Sequence, residues 1–150
     1  MNRAETIEIS AVIPAFNEEE ALPPLLDEVF AVLNELNRPF EVIVIDDGST
    51  DGTPAFLERR RETTPGLRVL TLVPNSGQTA AFEAGFSAAR GEFLITMDAD
   101  GQNDPADIPH MMELTPGVDA VLGVRAKRQD PWIRTFAQKT ANAIRNRLLG

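Results

Sequence analysis

FEVIVIDDGSTDGT, residues 40–53, changes character at one point. Phe40–Asp46 is rich in Ile and Val and reaches no turn former before Asp46, the composition of a strand buried on both faces. Residues 47–52 are all turn chemistry: aspartate, glycine, serine and threonine. A helix over Thr53–Thr63 follows, with Asp51 or Thr53 able to cap it. Strand, polar loop and helix in that order make the unit of a parallel α/β sheet.

The unit recurs on both sides of this stretch. Residues 7–14 (IEISAVIP) read as a buried strand. Residues 21–36 carry Leu22, Leu25, Leu26, Val29, Phe30, Leu33 and Leu36 at helical spacing. Downstream come a strand over 67–72, a helix over 78–89 capped by Asn75 or Ser76, and a strand over 92–98. A short helix over 105–114, a fifth strand over 120–124 and a last helix over 133–149 complete the series. The alternation predicts an α/β fold, a mainly parallel sheet with helices on both faces, whose ligands bind beyond the carboxyl ends of the strands. Ala81, Gly85 and Ala88 give the helix over 78–89 a small face for close packing on that sheet.

The 150 residues suit one domain, and the absence of cysteine excludes disulfides, zinc–thiolate centres and thiol nucleophiles. One histidine, His110, excludes a multi-histidine metal site, and we expect it to be a surface residue without a catalytic role. No apolar run has the length of a membrane span, and the first ten residues lack the apolar stretch of a signal peptide, so a cytoplasmic protein is the expectation. The net charge of −9 is unevenly spread. Residues 1–124 hold 22 acidic and 7 basic side chains, whereas residues 125–150 hold 7 basic and one acidic. An acidic body disfavours nucleic acid, and the basic end points to a local anionic partner. Residues 133–148 place apolar side chains on one helical face with Arg and Lys largely off it, the pattern of a helix lying on an anionic membrane surface, or of one whose apolar face covers the sheet while its charges are solvated.

Three loops carry candidate chemistry. In Asp98-Ala99-Asp100-Gly101-Gln102 two carboxylates leave a strand end at i and i+2, and Gly101 permits a turn that brings them together. Such hard oxygen ligands, with the Gln102 amide oxygen, suit Mg²⁺ or Mn²⁺; a solvated turn is the alternative. Asp46 and Asp47 are adjacent carboxylates that repel and need donors or a cation. A nucleobase N–H or ribose hydroxyls would serve, as would the backbone of a turn and helix cap. The loop after the first strand, Pro14-Ala15-Phe16-Asn17-Glu18, contains neither a dinucleotide fingerprint nor a P-loop.

Taken together, VIPAFNEEEAL (12–22), VIVIDDGSTDGT (42–53), NSGQTAAFEAGFSAARGEFLITMDADGQNDP (75–105) and GVRAKRQ (123–129) resemble, in order and spacing, the family 2 glycosyltransferases of the GT-A fold. Gly77-Gln78 and Gln102 are most similar to the branch that glycosylates polyprenyl phosphates, dolichyl- or undecaprenyl-phosphate. Gly101 departs from the Leu frequent there, and Gln138 from a frequent Ser.

The resemblance implies a Rossmann-like GT-A sheet and an inverting transfer from a UDP- or GDP-sugar to a polyprenyl phosphate, at the cytoplasmic face of the membrane. It implies that Pro14, Ala15, Asn17, Glu18, Gln78 and one of Asp46 and Asp47 hold the nucleotide sugar. Asp98, Asp100 and Gln102 would hold the metal and the donor diphosphate, and Arg125 and Arg134 would face phosphates of donor and acceptor. The family domain continues past the last helix, so residues 1–150 are expected to be its C-terminally truncated N-terminal part. Transfer to a polysaccharide or soluble acceptor, and nucleotide-sugar binding without turnover, are the alternatives.

Overall fold

The computed structural model describes residues 6–123. Arg125, Arg134, the helix expected over 133–149 and the basic segment lie outside the described residues.

The chain runs β1 (Ile9–Ala15), α1 (Leu22–Glu35), β2 (Phe40–Asp46), α2 (Thr53–Thr63), β3 (Leu67–Thr71), α3 (Gln78–Ala88), β4 (Phe93–Thr96), a 3-10 turn (Pro105–Asp107) and α4 (Ile108–Glu113). The four strands form one parallel sheet in the order β3-β2-β1-β4. The chain steps outward from β1 to β3 and returns to the far side of β1. The strand order therefore reverses between β1 and β4, where open α/β sheets bind ligands.

Side chains alternate across the sheet with the period of a strand. Ile9, Ala11, Ile13, Val42 and Val44 face α1 and α2, where Leu22, Leu26, Val29, Leu33 and Leu57 bury against them. Ile108 of α4 joins this core. Val12, Ile43 and Ile45 face the other way and meet Ala81 of α3. The small face of α3 is needed there. A Cβ at Gly85 would clash with Cγ1 of Val12 and lie 2.8 Å from Cδ1 of Ile45. Below α3 a buried polar group closes the same face. Glu41, 3% exposed, accepts from Ser10 Oγ at 2.8 Å, from Arg68 Nη1 at 2.7 Å and from the Arg90 N–H at 2.8 Å.

Three expectations change. The N-cap residue of α2 is Gly52, without a side-chain cap bond, and neither Asp51 nor Thr53 takes that place. Neither Asn75 nor Ser76 caps α3: Gly77 is its N-cap residue, without a side-chain cap bond. Residues 120–123 form no strand. An extended segment becomes a strand only where a neighbouring edge takes up its backbone groups, and its apolar pattern does not supply one. Residues 115–118 form a turn in which the Val118 N–H donates to the Thr115 carbonyl at 3.2 Å. Among the described residues no helix is long and apolar enough to cross a membrane.

Candidate functional site

Pro14 marks where the sheet opens. The β1–β4 ladder runs from Ile9↔Phe93 to Val12↔Thr96, while β1 stays paired with β2 as far as Ala15↔Asp46. Proline has no N–H with which to extend a ladder, so β1 and β4 part at their carboxyl ends. Pro14 and Ala15 are themselves buried within β1. The Ala15 carbonyl accepts the Asp47 N–H at 2.9 Å.

The loops after β1 and β2 interlock. Asn17, at φ +57°, donates its N–H to Ser49 Oγ at 2.9 Å and accepts the Thr50 N–H on Oδ1 at 2.8 Å. The Glu18 N–H donates to Thr53 Oγ1 at 2.9 Å, and the Glu19 N–H to Asp51 Oδ2 at 3.2 Å. Asp51 Oδ1 meanwhile accepts the Thr53 N–H at 2.9 Å. The Ser-Thr-Asp-Gly-Thr run thus starts α2 and braces the neighbouring loop at once. Asn17 stands as part of that brace.

Asp46 and Asp47 separate in role. Asp46, 2% exposed, accepts the Ser49 N–H at 3.0 Å. It lies in the wall of a cavity of about 440 Å³ with Ser49, Glu58, Arg61, Thr71 and Asn75. A cavity of that size is in the range of small-molecule pockets. Asp47, 4% exposed, turns toward the loop before α3 and accepts the N–H groups of Ser76 at 2.7 Å and Gly77 at 2.8 Å. Backbone donors from another loop therefore relieve the repulsion that two adjacent carboxylates create.

The paired carboxylates after β4 sit in a tight polar turn. Gly101, at φ +72°, allows the reversal. Asp100 Oδ1 accepts the Gln102 N–H at 3.0 Å, and Asn103 Oδ1 accepts the Asp98 N–H at 3.0 Å. Asp98 Oδ1 also accepts from the Gln78 side-chain amide at 2.7 Å. Gln78 and Asp98 thereby come together across 20 residues. Asn103 went unread in the sequence, where only its place in a Gln-Asn-Asp run hints at a turn brace.

Glu18 faces this turn. Its carboxyl is held above the ordinary glutamate value by burial first, then by the charges of Asp100 and Asp51. Among the described residues no group of three His, Cys, Asp or Glu is arranged to hold a metal ion. Asp98 and Asp100 nonetheless fit one. Mg²⁺ and Mn²⁺ are commonly held by one or two carboxylates completed by substrate phosphates and water. His110 lies on α4 with its side chain 74% exposed, 3.6 Å from Glu113.

The model of the glycosyl transferase family 2 matches residues 10–149. An undecaprenyl-phosphate 4-deoxy-4-formamido-L-arabinose transferase of Serratia proteamaculans is 41% identical over 154 residues, covering 100% of this chain and 47% of its own length. The Pseudomonas aeruginosa protein of the same name is 40% identical over 144 residues, covering 95% of this chain and 42% of its own. Among solved structures, a mannosyltransferase from Pyrobaculum calidifontis in complex with GDP-Man and Mn²⁺ superposes with a TM-score of 0.62 at 30% identity. That likeness covers 81% of this chain and 36% of the other. The chain spans about half the length of the curated relatives it matches. On the family match and the arrangement of its sheet, the chain belongs to glycosyl transferase family 2 and has the GT-A fold.

Proposed function

We propose that the chain is the donor-binding part of a glycosyltransferase that moves a sugar, with inversion, from a UDP- or GDP-sugar to a polyprenyl phosphate. The observation that carries this reading is the placement of Asp98 and Asp100 in the turn after β4, where the strand order reverses. The Pyrobaculum enzyme, solved with GDP-Man and Mn²⁺, supports a nucleotide sugar and a divalent metal here. The relatives named for undecaprenyl phosphate support a lipid phosphate as acceptor.

Asp98, Asp100 and Gln102 would hold Mg²⁺ or Mn²⁺, which when bound offsets the charge of the departing diphosphate as a Lewis acid. Asp46 reads the nucleoside from the cavity wall, and Asn17 and Glu18 hold the loop beside it. Arg125 and Arg134 position phosphate oxygens. An acceptor phosphate is ionised at neutral pH, so one of its oxygens attacks the anomeric carbon as the nucleoside diphosphate leaves. Positioning by arginine serves it better than a general base. The basic segment 125–150 holds the chain at the cytoplasmic membrane face. Salt-sensitive co-sedimentation with anionic vesicles supports that contact, and no binding at low salt overturns it.

Calorimetry with UDP and GDP, with and without Mn²⁺, tests the site. Asp100→Ala should abolish the metal-dependent part of the affinity. Asp46→Asn should weaken nucleotide binding by about 5- to 150-fold, the effect of a buried acceptor lost at about 1–3 kcal/mol. Unchanged affinity in Asp100→Ala, with Mn²⁺ and with EDTA, overturns the metal assignment. Unchanged affinity in Asp46→Asn overturns the nucleoside assignment.

A further inference from the structure

We infer that Asp47 is a positioning residue for the carboxylate pair, acting through the start of α3. The inference rests on the reading of Asp98 as a metal and diphosphate ligand, but its geometry is independent of any metal.

Asp47 holds the loop before α3 by three bonds. Its two carboxylate oxygens accept the Ser76 N–H at 2.7 Å and the Gly77 N–H at 2.8 Å, and its carbonyl accepts from Asn75 Nδ2 at 2.8 Å. Gly77, the N-cap residue of α3, makes no side-chain cap bond of its own. A carboxylate at a helix N-terminus is also favoured by the helix dipole. Gly77, at φ +88°, makes the turn that starts the helix, and a Cβ there would meet nothing within 4 Å. The backbone conformation, not space, calls for glycine. The next residue is Gln78, whose amide donates to Asp98 Oδ1 at 2.7 Å.

A connected path therefore runs from the end of β2, through the first turn of α3, to the turn after β4. It crosses the carboxyl end of β1, the strand that separates β2 from β4 in the sheet. With Gln78 seated, one oxygen of Asp98 is held toward α3 and the carboxylate is fixed in rotation. Outer groups that orient a ligand in this way typically change metal affinity by about 10- to 100-fold when removed. Asp47→Asn keeps the shape but sets an amide donor against one of two N–H donors, so the loop loses a tie.

The test uses the whole 150-residue chain and two readouts. The first needs no metal: the Gln78 side-chain amide resonances, identified by their loss in Gln78→Ala. Asp47→Asn should shift them and speed their exchange with water. The second is the Mn²⁺ dissociation constant in a double-mutant cycle. Asp47→Asn should raise it about tenfold in the parent chain and leave it unchanged in Gln78→Ala. Should Asp47→Asn fail to fold, Asp47→Glu moves the carboxylate by one methylene and should shift the same resonances. Unmoved Gln78 resonances overturn the inference, as does an equal rise in the Mn²⁺ constant in both backgrounds. A parent chain that binds no Mn²⁺ overturns the metal reading instead, and the amide resonances still decide the path from Asp47.

Discussion

Glu19 and Gly52 hold two loops together through a single carboxylate. Glu19 Oε2 accepts the Gly52 N–H at 2.6 Å and stands where a Cβ on residue 52 would go. The Gly52 backbone is ordinary right-handed helix, so an alanine is excluded by the neighbouring carboxylate and not by its own dihedral angles.

Gly52→Ala should therefore push the Glu19 side chain away and lose about 1 kcal/mol of stability, the worth of a typical hydrogen bond. In a Glu19→Ala background the same substitution should be neutral or slightly stabilising, because alanine restricts the unfolded chain. Urea unfolding of the four chains checks this. An equal loss in both backgrounds would place the effect in the backbone of α2.

Gly85→Ala should be costlier. The added methyl meets Val12 and Ile45, which sit in the sheet and cannot swing into solvent. Overpacking of this kind costs about 1–3 kcal/mol. Lifting α3 also draws Gln78 from Asp98, so the Mn²⁺ affinity should fall with the stability. Gly85→Ser should do at least the same harm. A melting temperature equal to the parent's would show that α3 does not need its close approach.

Glu41 links stability to pH. Burial is the largest influence on its carboxyl and acts upward, but hydrogen bonds from Arg68, Ser10 and the Arg90 backbone, with the Arg68 charge, leave it below the ordinary glutamate value. A depressed folded-state value means the stabilisation is fully present above the unfolded value. It is lost as pH falls through the folded one. Glu41→Gln should therefore be less stable than the parent by about 2–3 kcal/mol at pH 7. That gap should hold down to the ordinary carboxylate range and narrow below it. Urea unfolding at several pH values measures it. A gap that widens on acidification would contradict the assignment.

Local pattern gives most of the elements at their observed places. β2 and α2 occupy the residues read for them, because an Ile/Val run and the turn chemistry after it act through neighbours in the chain. The helix read over 105–114 is a 3-10 segment followed by α4, because Pro109 has no N–H for the Pro105 carbonyl, which accepts the Ile108 N–H instead. The strand read over 120–124 shows the limit of such patterns. Its short apolar run is present, but among the described residues no edge pairs with 120–123.

The carboxylates divide the same way. That aspartates at strand ends gather at one side of the sheet follows from strand polarity and from the unit repeated along the chain. Which aspartate does what does not. Asp46 and Asp47 are adjacent and chemically identical, yet one lines a cavity and the other accepts N–H groups 29 and 30 residues away. The strand order β3-β2-β1-β4, the parting of β1 and β4 at Pro14 and the meeting of Gln78 with Asp98 are likewise long-range pairings. Periodicity and turn chemistry are properties of residues close in the chain, so they could be read there. A hydrogen-bond partner is whichever group the folded backbone brings within 3 Å, and only the packing of α3 across the sheet chooses it.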